Sequence, residues 1–156
     1  MSDRARLRDA VHFPLTRDHI AVAQAVERIE GLLTDAGCAA TEAQLFAAAV
    51  EEVLVNVANH AWPVGEEHGF DAWLDLSPGD GVLRAWLRVE DDGIAFDPTQ
   101  QAPVPDVDAE LDDRAIGGLG VHMVRRLTDE QRYARIDGIN VMEIAKTFRL
   151  DGAGAQ

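Results

Sequence analysis

Glu51-Glu52-Val53-Leu54-Val55-Asn56-Val57-Ala58-Asn59-His60-Ala61-Trp62 closes an Ala-rich run of helical character. Within it Glu52, Asn56 and His60 recur at four-residue intervals. On an α-helix that spacing stacks the three side chains on one face, each about one turn above the last. An acid, an amide and an imidazole in line on an otherwise apolar helix require an explanation, because core-facing positions are hydrophobic and buried polar groups are costly unless satisfied. Taken by itself, the row also suits an ordinary solvated helix face.

Upstream, Val11-His12-Phe13-Pro14-Leu15 reads as a short strand, with Pro14 at an edge or a strand end. Residues 1–9 read as a frayed start. Asp18 is placed to N-cap a helix whose stripe is Ile20, Val22, Ala23, Val26, Ile29, Leu32 and Leu33, and Gly37 ends it. Thr41 and Gln44 form a capping box for the next helix, with Leu45, Ala49, Val53 and Val57 as its apolar positions. The Glu52 row therefore borders the buried face. Pro63 stops the helix.

Downstream, residues 70–76 and 82–89 alternate as two strands of a hairpin, joined by Pro78-Gly79-Asp80-Gly81. Glu90-Asp91-Asp92-Gly93 follows; by itself such a string after a strand is a turn. Residues 97–116 carry Pro98, Pro103 and Pro105 without periodicity, as a lid, a binding loop or a disordered connection does. Gly117-Gly118-Leu119-Gly120 runs into a helix with Met123, Val124 and Leu127 on its core side. Glycines before a helix free its N–H groups for an anion, although a lone cluster is a weak signal. Residues 131–136 and 139–149 read as strands around an Asp137-Gly138 turn. The last six residues read as loose. The order is strand, two helices, two strands, loop, helix, two strands. It predicts one α+β domain over residues 11–150, a two-layer sandwich with a mostly antiparallel sheet covered on one face.

Composition excludes several classes. A formal net charge of −14 argues against direct nucleic-acid binding and against docking on anionic membranes. Lys146 is the sole lysine and no Walker-type glycine–lysine string exists. Cys38, the single cysteine, forms no internal disulfide and reads as a small packing residue. No apolar run approaches the roughly 20 residues of a membrane span, and no signal-like core opens the chain. A cytoplasmic location is expected.

In this order, the Glu52-x-x-x-Asn56-x-x-x-His60 row, Asp91-x-Gly93-x-x-Phe96-Asp97-Pro98 and Gly117-Gly118-x-Gly120 resemble the N, G1 and G2 boxes of the GHKL ATPase/kinase superfamily. The resemblance is closest to its short stand-alone branch, the anti-sigma factor serine/threonine kinases. It extends to Leu127-Thr128-Asp129-Glu130, Tyr133 and Gly138-Ile139-Asn140, and covers roughly residues 11–149.

The resemblance implies a Bergerat ATP-binding fold, with a mixed but mostly antiparallel sheet and residues 97–116 as the ATP lid. It implies ATP and Mg²⁺ as cofactors. Asp91 would accept from the adenine amino group, and Gly93 would let the backbone pass close to the base. Asn56 would ligate Mg²⁺. Gly117, Gly118, Leu119 and Gly120 would hold the phosphates, with Arg114 reaching the γ-phosphate. Asn140 stands where many members carry a threonine near the adenine. Glu52 would be the general base, and His60 a neighbour that orients groups or packs under the site. The implied function is a protein serine/threonine kinase that phosphorylates an anti-anti-sigma protein, holds a sigma factor and forms a homodimer. The alternative is a non-catalytic ATP-binding partner module. A histidine kinase would need a dimerisation helix pair, for which the first 40 residues offer no room.

Overall fold

A computed structural model describes residues 3–98 and 118–150, with side chains given from residue 122 onward in the second segment. The elements are α1 (Asp3–Asp9), β1 (Val11–Thr16), α2 (His19–Asp35), α3 (Ala40–His60), β2 (Gly69–Gly79), β3 (Val82–Asp91), α4 (Gly118–Leu127), β4 (Glu130–Ile136) and β5 (Ile139–Arg149). The strands form one sheet in the order β1-β2-β3-β5-β4. All four pairings among the described residues are antiparallel, where a mixed sheet was expected.

Two of its hairpins turn on the chemistry read from sequence. Asp80 and Gly81 have φ of 42° and 79°, and Asp137 and Gly138 have φ of 51° and 81°. Positive φ at both central residues is the two-residue turn whose twist matches the strands. The other local signal that holds is Asp18, whose Oδ1 accepts from the Ile20 N–H at 2.9 Å. Gly37, with φ of 107°, follows the end of α2.

Helices α2, α3 and α4 cover one sheet face. The alternate positions Phe70, Ala72 and Leu74 of β2, and Leu83, Ala85, Leu87 and Val89 of β3, point into that layer and are buried. The core continues through Phe46, Val50 and Leu54 of α3, none of which is exposed. Phe46 packs edge-on against Phe148, ring centroids 5.6 Å apart. Helix α1 lies on the opposite face: the Arg6 guanidinium sits 4.8 Å from the Trp86 ring centroid.

Several expectations are corrected. The N-terminal residues 3–9 form a helix rather than a frayed start. Helix α3 begins at Ala40 with Ala39 as its N-cap and no side-chain cap bond; Thr41 and Gln44 are already inside the helix, so no capping box forms. Leu45 and Ile20, expected in the core, are 46% and 68% exposed. The buried face of α3 instead runs through Ala43, Phe46, Ala47, Val50, Leu54 and Ala58, with Ala49 and Val53 beside it. That stripe is wide because α3 packs against both α2 and the sheet. Cys38 is buried, as its packing role required. Most of the expected lid, with Arg114 and Gly117, and residues 151–156 lie outside the described residues.

Candidate functional site

The site forms where the C-terminal end of α3 meets the ends of β3 and β5. Asp91 is the last residue of β3 and pairs in register with Asn140 of β5. Neighbouring side chains on one sheet face meet across the strands: Asn140 Nδ2 donates to Asp91 Oδ1 at 2.9 Å. The Gly93 N–H donates to the same oxygen at 2.9 Å. Both hydrogen bonds to Asp91 among the described residues use Oδ1, which leaves Oδ2 for a ligand. Asp91 and Asn140 are 8% and 6% exposed.

Asn140 uses its whole amide. Nδ2 also donates to the Ile94 carbonyl at 2.7 Å, and Oδ1 accepts from the Tyr133 hydroxyl and from Arg135 Nη1. Arg135 Nη1 donates to the Gly93 carbonyl as well, at 3.0 Å. The amide has two donors and one two-lone-pair acceptor, so Asn140 is already saturated by the protein. It positions Asp91, and a direct adenine contact from its amide would have to break one of these bonds.

Gly93 lies against α3. A Cβ there would stand 2.3 Å from the Ala61 carbonyl oxygen and 2.6 Å from the Ala61 Cβ. The Ile94 N–H donates to that same Ala61 carbonyl at 2.8 Å. The close approach to the helix end by itself requires glycine at this position. Trp62 Nε1 adds a bond to Asp92 Oδ1 at 3.0 Å.

Arg17, between β1 and α2, holds the same helix end from behind. Its guanidinium donates to the carbonyls of Ala58, Trp62, Pro63 and Glu66 at 2.7–3.2 Å. The last turn of a helix leaves carbonyls without intrahelical partners, and cations are favoured there.

A cavity opens between these elements. Asp91, Asn140 and Met142 line it from the sheet, Val53 and Val57 from α3, and Val124 from α4. Asn56 and His60 also line it. Asn56 is half-buried and His60 exposed. Glu52 is half-buried and sits one turn before Asn56, outside the cavity lining. Gly118, Leu119 and Gly120 form the first turn of α4, the helix whose Val124 is a cavity wall.

Both acids are held toward their neutral forms. Burial is the main cause of a raised Asp91 pKa; the bonds from Asn140 and Gly93 oppose it, Asp92 adds to it and Arg135 opposes it. Burial is also the main cause for Glu52; Glu51 adds to it and His60 opposes it. Clefts that shift carboxylate pKa values in this way are characteristic of functional sites. Among the described residues no group of three or more Asp, Glu, His or Cys side chains is placed to hold a metal.

Tyr133 entered the sequence reading only as a point of resemblance, and Arg17, Arg135 and the Trp62–Asp92 bond did not enter it. Three of these four act on main chain or on another side chain rather than on the cavity, so no motif spacing marks them. No helix among the described residues is long and apolar enough to cross a membrane.

A helix-borne Asn above a strand-end Asp, with a glycine-led helix as a second wall, defines an ATPase-type α+β sandwich. Residues 13–146 match the histidine kinase-like ATPase domain, and the chain belongs to that family. It is 33% identical over 90 residues to the serine/threonine-protein kinase BtrW of Bordetella bronchiseptica. That match covers 58% of this chain and 60% of the relative, so the chain spans less than two thirds of the relative's length. The fold is similar to the crystal structure of the RsbU and RsbW domains of Rv1364c from Mycobacterium tuberculosis, with a TM-score of 0.59 at 20% identity. That likeness covers 90% of this chain and 32% of the other. The family match bears out the ATPase-domain resemblance read from the sequence, and the structural likeness shows the fold.

Proposed function

We propose that this protein is an ATP- and Mg²⁺-dependent serine/threonine kinase of the anti-sigma type. Its substrate is a hydroxyl on a small anti-anti-sigma protein, and its second partner is a sigma factor. It works as a cytoplasmic homodimer. The observation that carries the reading is Asp91: a buried carboxylate at an apolar cavity, with Oδ1 fixed by two donors and Oδ2 open. Such a group suits the amino edge of adenine, because guanine offers an oxygen at the corresponding place.

The donor set also suits Mg²⁺. Magnesium keeps most of its coordination for phosphates and water and takes one or two protein oxygens, so the amide oxygen of Asn56 is sufficient. When bound, the ion neutralises charge on the phosphates. The N–H groups at the start of α4, from Gly118, Leu119 and Gly120, lie at a helix N-terminus, which favours phosphate. Gly117 belongs to the same glycine motif, and Arg114, from the 97–116 segment, is assigned to the γ-phosphate by the resemblance.

Glu52 stands on the Asn56 face of α3 and is the general base. It takes the hydroxyl proton of the substrate onto its carboxylate as the phosphoryl group moves from ATP to that oxygen, leaving ADP. Its half-burial moves its pKa toward neutral pH, where a base is most useful.

A non-catalytic module that binds ATP structurally is the competing reading. Calorimetry with Mg-ATP on wild type, Asp91→Asn and Glu52→Ala, followed by phosphotransfer to purified anti-anti-sigma proteins, separates the two. The kinase reading requires binding by wild type and Glu52→Ala, loss in Asp91→Asn, and transfer by wild type only. Binding without transfer to any such partner leaves the module. Absence of binding at millimolar Mg-ATP overturns both.

A further inference from the structure

We infer that the turn at residues 63–66, with Val64 at its tip, is a docking knob for the hydroxyl-bearing protein substrate, which seats Val64 in an apolar pocket rimmed by basic side chains. This rests on the reading of the chain as a protein kinase, and it gives that kinase a substrate contact outside the cleft.

Val64 is 96% exposed. On a loose loop that would mean little, since single apolar residues are common on surfaces. This one sits on a turn fastened at both ends. The Glu66 N–H donates to the Pro63 carbonyl at 3.3 Å, and Gly65 has a φ of 90°, as the third residue of a type II turn requires. Arg17 Nη1 donates to the Pro63 and Glu66 carbonyls, each at 2.7 Å. The same guanidinium reaches the Ala58 and Trp62 carbonyls, so the knob and the end of α3 form one unit. Trp62, at its base, is buried and stacks on His68 with ring centroids 4.6 Å apart. A side chain presented on a backbone fixed in this way loses little entropy when a partner covers it.

Its neighbours share the exposure. Of the large apolar side chains exposed among the described residues, Ile20, Val64, Ile94, Phe96 and Ile136 belong to segments that meet at one end of the sheet; Leu45 alone lies away from it, near the start of α3. Ile20 and Ile94 are tied to the same helix end as the knob. His19 Nε2 lies 2.7 Å from Asn59 Oδ1, and the Ile94 N–H donates to the Ala61 carbonyl. Grouped apolar exposure with a polar rim marks a protein-binding surface. The rim here is acidic: Asp18, Glu66, Glu67 and Asp92 are exposed, while Arg17 is engaged on carbonyls. The complementary partner is therefore basic, and the net charge of −14 attracts it in the same sense. Ile94 and Phe96 also line the cavity, so a protein docked here stands beside the nucleotide, and the partner that has to reach the nucleotide is the substrate. Ala61 lies nine residues beyond Glu52, about 14 Å along the helix axis. A folded domain roughly 30 Å across can hold Val64 and bring a hydroxyl to Glu52 together.

The test is phosphotransfer from the full chain to a purified anti-anti-sigma protein, read as KM for that protein and kcat, in wild type, Val64→Asp, Val64→Leu, Glu67→Lys and Leu45→Asp. Mg-ATP affinity and Tm are followed alongside and are expected to be unchanged, because all three positions are exposed and outside the cavity lining. Val64→Asp is expected to raise KM about tenfold or more with kcat little changed. Val64→Leu keeps most of the affinity. Glu67→Lys raises KM at low salt and less at high salt, as a rim charge does. Leu45→Asp, about 24 Å from Ala61 along α3, leaves KM at the wild-type value. A KM unmoved by Val64→Asp, or moved as much by Leu45→Asp, overturns the inference while the kinase reading stands. Loss of sigma-factor binding in Val64→Asp with the substrate unaffected gives the turn to the other partner and overturns it as well. If wild type binds Mg-ATP and transfers to no such protein, the kinase reading falls and takes the inference with it.

Discussion

Gly93→Ala tests whether the site is held together by contact between the helix end and the strand end. The new methyl would lie 2.3 Å from the Ala61 carbonyl oxygen, 2.6 Å from its Cβ and 2.7 Å from its carbonyl carbon. Comfortable contact needs about 3.5 Å or more, so the two segments must separate by roughly 1 Å. All three atoms belong to a helix end or its cap, which cannot move as a free side chain does. Overpacking of this kind costs about 1–3 kcal/mol. The shift also breaks or stretches the Ile94 N–H bond to Ala61, 2.8 Å in the native structure, worth about 1 kcal/mol. The total is about 2–4 kcal/mol, or a fall of roughly 5–15 °C in Tm for a chain of this size. The φ of Gly93 is not in the left-handed region, so conformational strain adds nothing. Urea and thermal unfolding of the nucleotide-free protein read the number directly. A Gly93→Ala protein within about 0.5 kcal/mol of wild type that fails to bind Mg-ATP would refute the packing argument and return the glycine to the ligand.

Four further outcomes are expected. Glu52→Ala lowers phosphotransfer by about 10²-fold or more with ATP affinity little changed, and the wild-type rate falls with acid at a pH above that of an ordinary glutamate, because burial raises the Glu52 pKa. Nucleotide-free Asp91→Asn is at least as stable as wild type at pH 8: a raised folded-state pKa gives stability that is present below the ordinary aspartate value and lost as pH rises through the raised one, so the advantage of the neutral variant disappears on acidification in a pH series of melts. Arg17→Met costs about 2–3 kcal/mol in urea unfolding, since four carbonyls lose a cationic donor but two of them are solvent-exposed. Phe46→Ala, at a position with no exposure, costs about 3–5 kcal/mol by the same measurement.

What was legible in the sequence was local chemistry. Asp80-Gly81 and Asp137-Gly138 specify their turns because few residues tolerate positive φ, and Asp18 caps because its carboxylate reaches an N–H two residues on. The two readings that failed on helices needed tertiary knowledge. The start of α3 is set by how the chain leaves α2, so Ala39, without a capping side chain, takes the position that Thr41 was chemically better suited to fill. The face of α3 could not be centred from periodicity, because a helix packed against both a sheet and a neighbouring helix buries a stripe too wide to rank Leu45 against Phe46. Of the site, Asp91, Asn56 and Glu52 were visible as residue types at fixed spacing. Arg17 was not, because its partners are main-chain carbonyls 41 to 49 residues away, and any residue type presents those. Asn140 was visible as a residue, but its saturation was not, because that depends on Tyr133 and Arg135 across a hairpin.

Helix α3 joins the core to the proposed chemistry. Phe46, Val50 and Leu54 set its rotation on the sheet, and the same rotation sets where Glu52, Asn56 and His60 face. A slip of one residue along α3 would turn the polar row by about 100° and carry Glu52, Asn56 and His60 together away from the strand-end Asp91. Its far end is fixed separately, by Arg17 on its carbonyls and by Gly93, Ile94 and Asp92 on Ala61 and Trp62. The acid on the helix and the acid at the strand end are thus tied to one frame. Substitutions in the core should therefore disturb phosphotransfer more than they disturb binding of the base, since Glu52 depends on the rotation of the helix whereas Asp91 is held by β5, Gly93 and the helix cap.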